Sequence, residues 1–106
     1  MRVPVDALKG HLDLVMLAAL AEGEAYGYAL IDEIRGRSDG AFDLAEGTVY
    51  PALYRLEAGG LLSSDWTVAA GRRRRMYRLT KRGRAELAKE RGEWKQFSDT
   101  MKAVVA

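Results

Sequence analysis

The sequence contains no cysteine, which excludes a disulfide framework and any thiolate metal site. Its single histidine, His11, cannot assemble the usual zinc ligand sets alone. Ser63, Ser64 and Asp65 are adjacent, but no histidine is placed to serve them. They read as the polar edge of a strand, so no catalytic constellation can be built and no enzyme or cofactor is expected. Long apolar runs are also missing. The longest, Leu14 to Ala21, has eight residues, far short of the roughly 20 needed to cross a bilayer. No charged-then-apolar leader with a small-residue cleavage site opens the chain, so a cytoplasmic protein without a membrane partner is expected. There is no internal repeat and no low-complexity segment. A length of 106 residues fits one domain with a modest core.

One further absence is local. Residues 66 to 84 contain no aspartate or glutamate, yet hold Arg72, Arg73, Arg74, Arg75, Arg78, Lys81, Arg82 and Arg84. That is +8 in nineteen residues, and because the whole chain is only +2, the remainder carries −6. Solvated surfaces normally intersperse both signs. Such segregation is the electrostatic footprint of a nucleic-acid binder; the bland alternative is a charged hairpin without a partner.

Residues 1 to 9, with Pro4 among them, read as a loosely held N-terminal arm. A first helix is expected over Gly10 to Ala21, its broad stripe made of Leu12, Val15, Met16, Ala19 and Leu20. It is nearly apolar all round after Asp13. A second helix follows over Tyr26 to Ser38, with Leu30, Ile31 and Ile34 inward, and Asp39-Gly40 marks a turn. Phe42 and Leu44 are either a short extended piece or a plug into the core.

The third helix is expected to start near Glu46, although Pro51 sits awkwardly inside it, since proline is best tolerated in the first turn. Val49, Leu53 and Leu56 recur at i, i+4 and i+7 and so share one face. At about 100° per residue, Tyr50, Pro51, Tyr54, Arg55 and Ala58 face the other way. Gly59-Gly60 ends the helix, because glycine readily takes the left-handed conformation of a C-terminal cap. Leu61-Leu62, Trp66, Val68, Met76, Tyr77 and Leu79 then supply the content of a hairpin, with Ala69-Ala70-Gly71 as its turn and Arg72 to Arg75 at its tip.

Thr80 is a suitable N-cap for a long fourth helix over Lys81 to Val104. Leu87, Trp94 and Met101 are seven apart, and Phe97 and Val104 fall three beyond the latter two, a heptad-like seam. Glu90, Gly83 and Gly92 weaken it. The seam either folds back on the first helix or, as we expect, meets a partner subunit. His11 is expected to be exposed at the first helix's start.

The resulting expectation is a mostly α fold with a small two-stranded antiparallel wing. The blocks EGTVYPALYRLEAGGLLSS and GRRRRMYRLTKRG, the run GHLDLVMLAALAEG and the motif Tyr26-Gly27-Tyr28 resemble the PadR family of bacterial transcriptional regulators over roughly residues 9 to 100. Tyr26 stands where many relatives have histidine. The single C-terminal helix is similar to the small subfamily.

The resemblance implies a winged helix–turn–helix domain over residues 1–79 and a dimerisation helix over residues 80–106. It also implies a homodimeric, sequence-specific repressor acting on double-stranded DNA, often responsive to small aromatic or cationic effectors. Thr48, Tyr50, Pro51, Tyr54 and Arg55 would then lie at the major groove, with Tyr28 on a phosphate. Arg72, Arg73, Arg74 and Arg75 would contact backbone and minor groove. Leu87, Trp94, Phe97, Met101 and Val104 would carry the dimer contacts, and Trp94 with Phe97 would meet a flat ligand; Trp94 as plain dimer core is the other reading. Arg55, whose planar fork suits guanine, is the best candidate for a base contact, whereas Thr48 and Tyr54 suit register on phosphates. Each of Tyr26, Tyr28, Tyr50 and Tyr54 also admits a core role. A symmetric dimer implies a pseudo-palindromic operator. The competing function is a winged-helix module for protein or RNA without operator binding.

Overall fold

The computed structural model describes residues 1–106. A 3-10 turn over Val5–Leu8 precedes α1 (Leu12–Ala19), β1 (Ala25–Tyr26), α2 (Gly27–Arg37) and α3 (Glu46–Ala58). The wing strands β2 (Leu62–Ala69) and β3 (Arg72–Leu79) follow, and α4 (Lys81–Val105) ends the chain.

The helical periodicities place the core as expected. Leu30, Ile31 and Ile34 of α2 and Val49, Leu53 and Leu56 of α3 are buried against Met16, Leu17 and Leu20. No polar or charged residue is buried, so burial of apolar surface is what holds the three helices together. α1 is shorter than the expected Gly10 to Ala21 at both ends; it cannot start at Gly10, whose φ of +83° is a left-handed conformation that does not begin a right-handed helix. Leu44 is the plug, 6% exposed, and the segment around it has no regular structure.

The N-terminal arm is docked rather than loose. Leu8 is 6% exposed in the core, the Val3 amide donates to the Ala41 carbonyl at 2.8 Å, and Arg2 pairs with Asp43 at 2.7 Å. Leu8 carried that signal, masked by Pro4.

Pro51 lies inside α3, which does start at Glu46. The end of α3 is a Schellman motif: Leu61 N–H donates to the Leu56 carbonyl and Gly60 N–H to the Glu57 carbonyl, both at 3.0 Å. Gly60, at φ +80°, makes that reversal possible.

The hairpin runs in register from Leu62 opposite Leu79 to Ala69 opposite Arg72. Its turn is two residues, Ala70 and Gly71, with φ of +52° and +76°. Positive φ at both central positions matches the right-handed twist of the strands. The sheet has three strands, in the order β1-β3-β2, not two. Ala25 and Tyr26 pair with Tyr77 and Met76, a two-residue strand too short to show alternation in sequence.

Thr80 caps α4 as expected, its hydroxyl accepting from the Gly83 amide at 3.0 Å and donating to the Gly60 carbonyl at 2.7 Å. Gly83 is obligatory, because a Cβ there would fall 2.0 Å from the Leu61 carbonyl oxygen. One expectation about α4 is corrected. Leu87, assigned to the dimer seam, is 3% exposed and belongs to this domain's own core. The first turns of α4 pack on α1, and the free seam begins only at Trp94.

Candidate nucleic-acid interface

Three elements converge on one side of the domain. The outward face of α3 presents Tyr50, Pro51, Tyr54, Arg55 and Ala58 along one shallow, open surface. Tyr54 is 79% exposed and Tyr50 39%, while Thr48 is half-buried. Tyr50 is seated by Gly27, where a Cβ would lie 2.6 Å from the tyrosine ring. Glycine at the start of α2 therefore lets the two helices close on each other, and Tyr28, the next residue of α2, is 41% exposed. Neither tyrosine is a core aromatic.

The wing's arginines divide between its two faces, as strand alternation requires. On the face turned toward α3, the Arg73 and Arg75 guanidinium carbons lie 4.7 and 5.0 Å from the centre of the Trp66 ring. Arg75 also donates through Nε to the Ser64 hydroxyl at 2.7 Å, and that hydroxyl donates to Glu57 at 2.7 Å. Trp66, Arg75 and Tyr77 line a cleft with Tyr54, Glu57 and Ala58 of α3. Burial, with the Glu57 charge nearby, pushes the Tyr77 phenol up from its ordinary value.

On the opposite face, Arg74 lies 4.4 Å over the Tyr28 ring and 5.8 Å from that of Tyr26. These two rings are parallel within 4° at 6.0 Å, and the Tyr26 hydroxyl accepts from Thr67 at 3.2 Å. Stacking on aromatic faces holds a guanidinium in place without neutralising it. Arg72, Arg73 and Arg74 make no ion pair, whereas Arg78 lower on the strand is paired with Asp65 at 2.6 Å and Glu24 at 3.3 Å.

Arg55 is placed differently from the sequence reading. Its stem shares the outward face of α3, but its head turns back to α1. Nη1 and Nη2 donate to Asp13 Oδ2 and Oδ1 at 2.9 and 2.8 Å. Hydrogen bonding to Asp13 raises its pKa further.

Away from this side, α4 exposes Trp94, Phe97, Met101 and Val104, at 46%, 50%, 45% and 78%. His11 is half-buried, not exposed as expected. It meets Trp94 edge-on at 5.4 Å and Phe97 at 6.1 Å. A groove runs between them, lined also by Gly10, Leu14, Glu90 and Glu93. Burial, then the neighbouring acids Glu86, Asp13 and Glu93, push the Glu90 carboxyl up to about 7.

A family model described as the transcriptional regulator PadR-like family matches residues 16–89. The chain belongs to the PadR family of transcriptional regulators. A PadR-family protein is a regulator and not an enzyme. Transcriptional regulator Rv3488 of Mycobacterium tuberculosis is 44% identical over 78 residues, 74% of this chain and 70% of that protein. A transcriptional regulator from Clostridium thermocellum has the same fold, with a TM-score of 0.87 at 31% identity, covering 95% of this chain and 99% of that one. Bacillus subtilis PadR, solved in complex with operator DNA, matches with a TM-score of 0.68 at 25% identity; the match covers 74% of this chain and 45% of that one. No helix is long and apolar enough to cross a membrane.

Within this PadR-type frame, three residues that sequence reasoning passed over hold the exposed groups in place. Trp66 packs on two wing arginines, Tyr26 stacks on Tyr28, and Asp13 ties down Arg55. The signal for Asp13 was present: it is the one acid in an otherwise apolar helix.

Proposed function

We propose that the protein is a homodimeric regulator that binds a pseudo-palindromic operator and represses transcription from it. The observation that carries this reading is the set of unneutralised wing guanidinium groups, Arg72 to Arg74, with Arg73 on the wing face turned toward α3 and Arg74 over Tyr28 at the start of α2. A helix bearing hydroxyl and small apolar groups fits the major groove, where base edges differ in their donors, acceptors and methyl groups. Thr48, Tyr50, Pro51 and Tyr54 face the bases and nearby backbone, and Tyr28 meets a phosphate. Arg72, Arg73, Arg74 and Arg75 supply backbone and minor-groove contacts that position the protein.

The α4 seam supplies the second subunit. Trp94, Phe97, Met101 and Val104 leave an apolar stripe that a monomer would expose to water. In the dimer, Trp94 and Phe97 beside Glu90 and Glu93 form a site for a flat aromatic cation, which gains from ring faces and carboxylates together. Tryptophan fluorescence in a Trp66→Phe background tests that site, and flat titrations across a panel of such cations would leave Trp94 structural.

The main test is a gel shift with DNA from upstream of the protein's own gene. Four phosphate contacts per subunit give a log–log salt slope of about −7 for the dimer, at about −0.9 per contact. Absence of a shift at low salt, or a complex indifferent to salt, would contradict DNA binding; salt indifference would instead fit a protein-interaction module.

A further inference from the structure

Arg55 occupies a position with two sides. Its stem lies with Tyr50, Pro51, Tyr54 and Ala58 on the surface proposed to meet DNA. Arg55 also lines a cavity with Val5, Leu8, Leu12, Asp13 and Glu90 among others. Asp13 holds it there through two parallel hydrogen bonds of 2.8 and 2.9 Å, the geometry in which carboxylate and guanidinium match best.

We infer that Asp13 is a specificity-determining residue of the DNA interface: it withholds the Arg55 guanidinium from the duplex. This rests on the proposal that α3 faces DNA. With its cation engaged, α3 presents two tyrosines, a proline and an alanine, a surface of hydroxyls and apolar groups. An unengaged guanidinium at this position would attach to any nearby phosphate or to guanine, the commonest specific partner of arginine. Phosphate contacts add affinity without sequence information, so restraint of Arg55 sharpens the ratio of operator to non-operator binding.

The pair is not needed for folding on energetic grounds. Its members are 57% and 36% exposed, so solvent limits what the pair adds to folding while its bidentate geometry fixes where the guanidinium points. The same pairing leaves no uncovered carboxylate on α1 to repel a phosphate. Arg55 is thus tied to α1 rather than turned to the groove.

A double-mutant cycle of full-length Asp13→Asn, Arg55→Met and the combined variant tests this, with fluorescence anisotropy on operator and scrambled duplexes across a salt series. Arg55→Met is expected to keep the wild-type slope, because that guanidinium touches no phosphate. Asp13→Asn is expected to steepen the slope by about 0.9 per subunit, one new contact each, and to lower the operator-to-scrambled ratio. The combined variant is expected to return to the Arg55→Met slope, which separates release of Arg55 from mere loss of a negative charge. Far-ultraviolet circular dichroism checks folding. Should Asp13→Asn fail to fold, Asp13 is structural and the inference is overturned. A slope shallower by about 0.9 per subunit in Arg55→Met, or an unchanged slope in Asp13→Asn, also overturns it while leaving the DNA reading intact. A wild-type protein that binds no DNA overturns both.

Discussion

The Glu90 carboxyl makes folding stability depend on pH in a direction opposite to most acids. Glu90 lies one helical turn from Glu86 and near Asp13 and Glu93, half-buried, so its folded pKa is about 7 against 4.5. Like charges at i, i+4 on a helix repel, and burial adds a desolvation cost to the ionised form. Between pH 4.5 and about 7 the folded protein therefore holds a proton that the unfolded chain has released. Stability associated with that proton is fully present below pH 4.5 and is lost as the pH rises to about 7. Moving the carboxyl from 4.5 to about 7 would correspond to about 3.4 kcal/mol; solvent around a half-exposed group reduces this to about 1–2 kcal/mol. Glu90→Gln removes the charge and keeps the shape. The variant is expected to match wild type near pH 4.5 and to be more stable by about 1–2 kcal/mol at pH 8. That is roughly 5–10 °C in Tm for a domain of this size. Thermal melts followed by circular dichroism at pH 4.5, 6 and 8 measure it. A wild-type-to-variant difference that is flat with pH, or a variant less stable at pH 8, would refute the electrostatic account of this site.

The other predictions concern the wing, the α4 junction and the seam. Replacing Arg72, Arg73 and Arg74 with glutamine should make the DNA salt slope shallower by about 2.7 per subunit with only a small loss in Tm, as none of the three is ion-paired and only the stacking of Arg73 and Arg74 is lost; anisotropy and melts check both. Gly83→Ala drives a Cβ onto the Leu61 carbonyl, so it should cost about 3 kcal/mol or more, read in urea titrations. Thr80→Ala removes one cap and one bridging bond and should cost about 1–2 kcal/mol by the same assay. Trp94→Ala with Met101→Ala should convert the dimer to monomer in sedimentation, whereas Arg91→Ala on the same helix should not.

Much of this architecture was legible in the chain. The 3.6-residue periodicity of α2 and α3 placed the core because those helices bury one stripe each, and Gly59-Gly60 and Thr80 marked real caps. What sequence could not separate was an apolar position facing this domain from one facing a partner. Leu87 and Trp94 share heptad spacing, yet only Trp94 lies free, because packing of the first α4 turns on α1 is a tertiary fact. The third strand was hidden by its two-residue length. The turn was legible at Ala69-Ala70-Gly71, but not that Ala69 ends the strand and that Ala70, at φ +52°, takes the first left-handed position. The pairing of Arg55 with Asp13 was not legible because the two are 42 residues apart. The arginines of the wing were legible through charge alone, but their division between Trp66 and the tyrosines needed the strand register.

The central claim is that two copies present α3 and the wing on a common side, spaced to grip one duplex. A hydroxyl-radical footprint of the wild-type protein on DNA from upstream of its own gene tests this most directly. Two protected half-sites, centred about one helical turn apart on the same face of the duplex, are predicted. A single protected half-site, protection without two-fold symmetry, or none at saturating protein would contradict it.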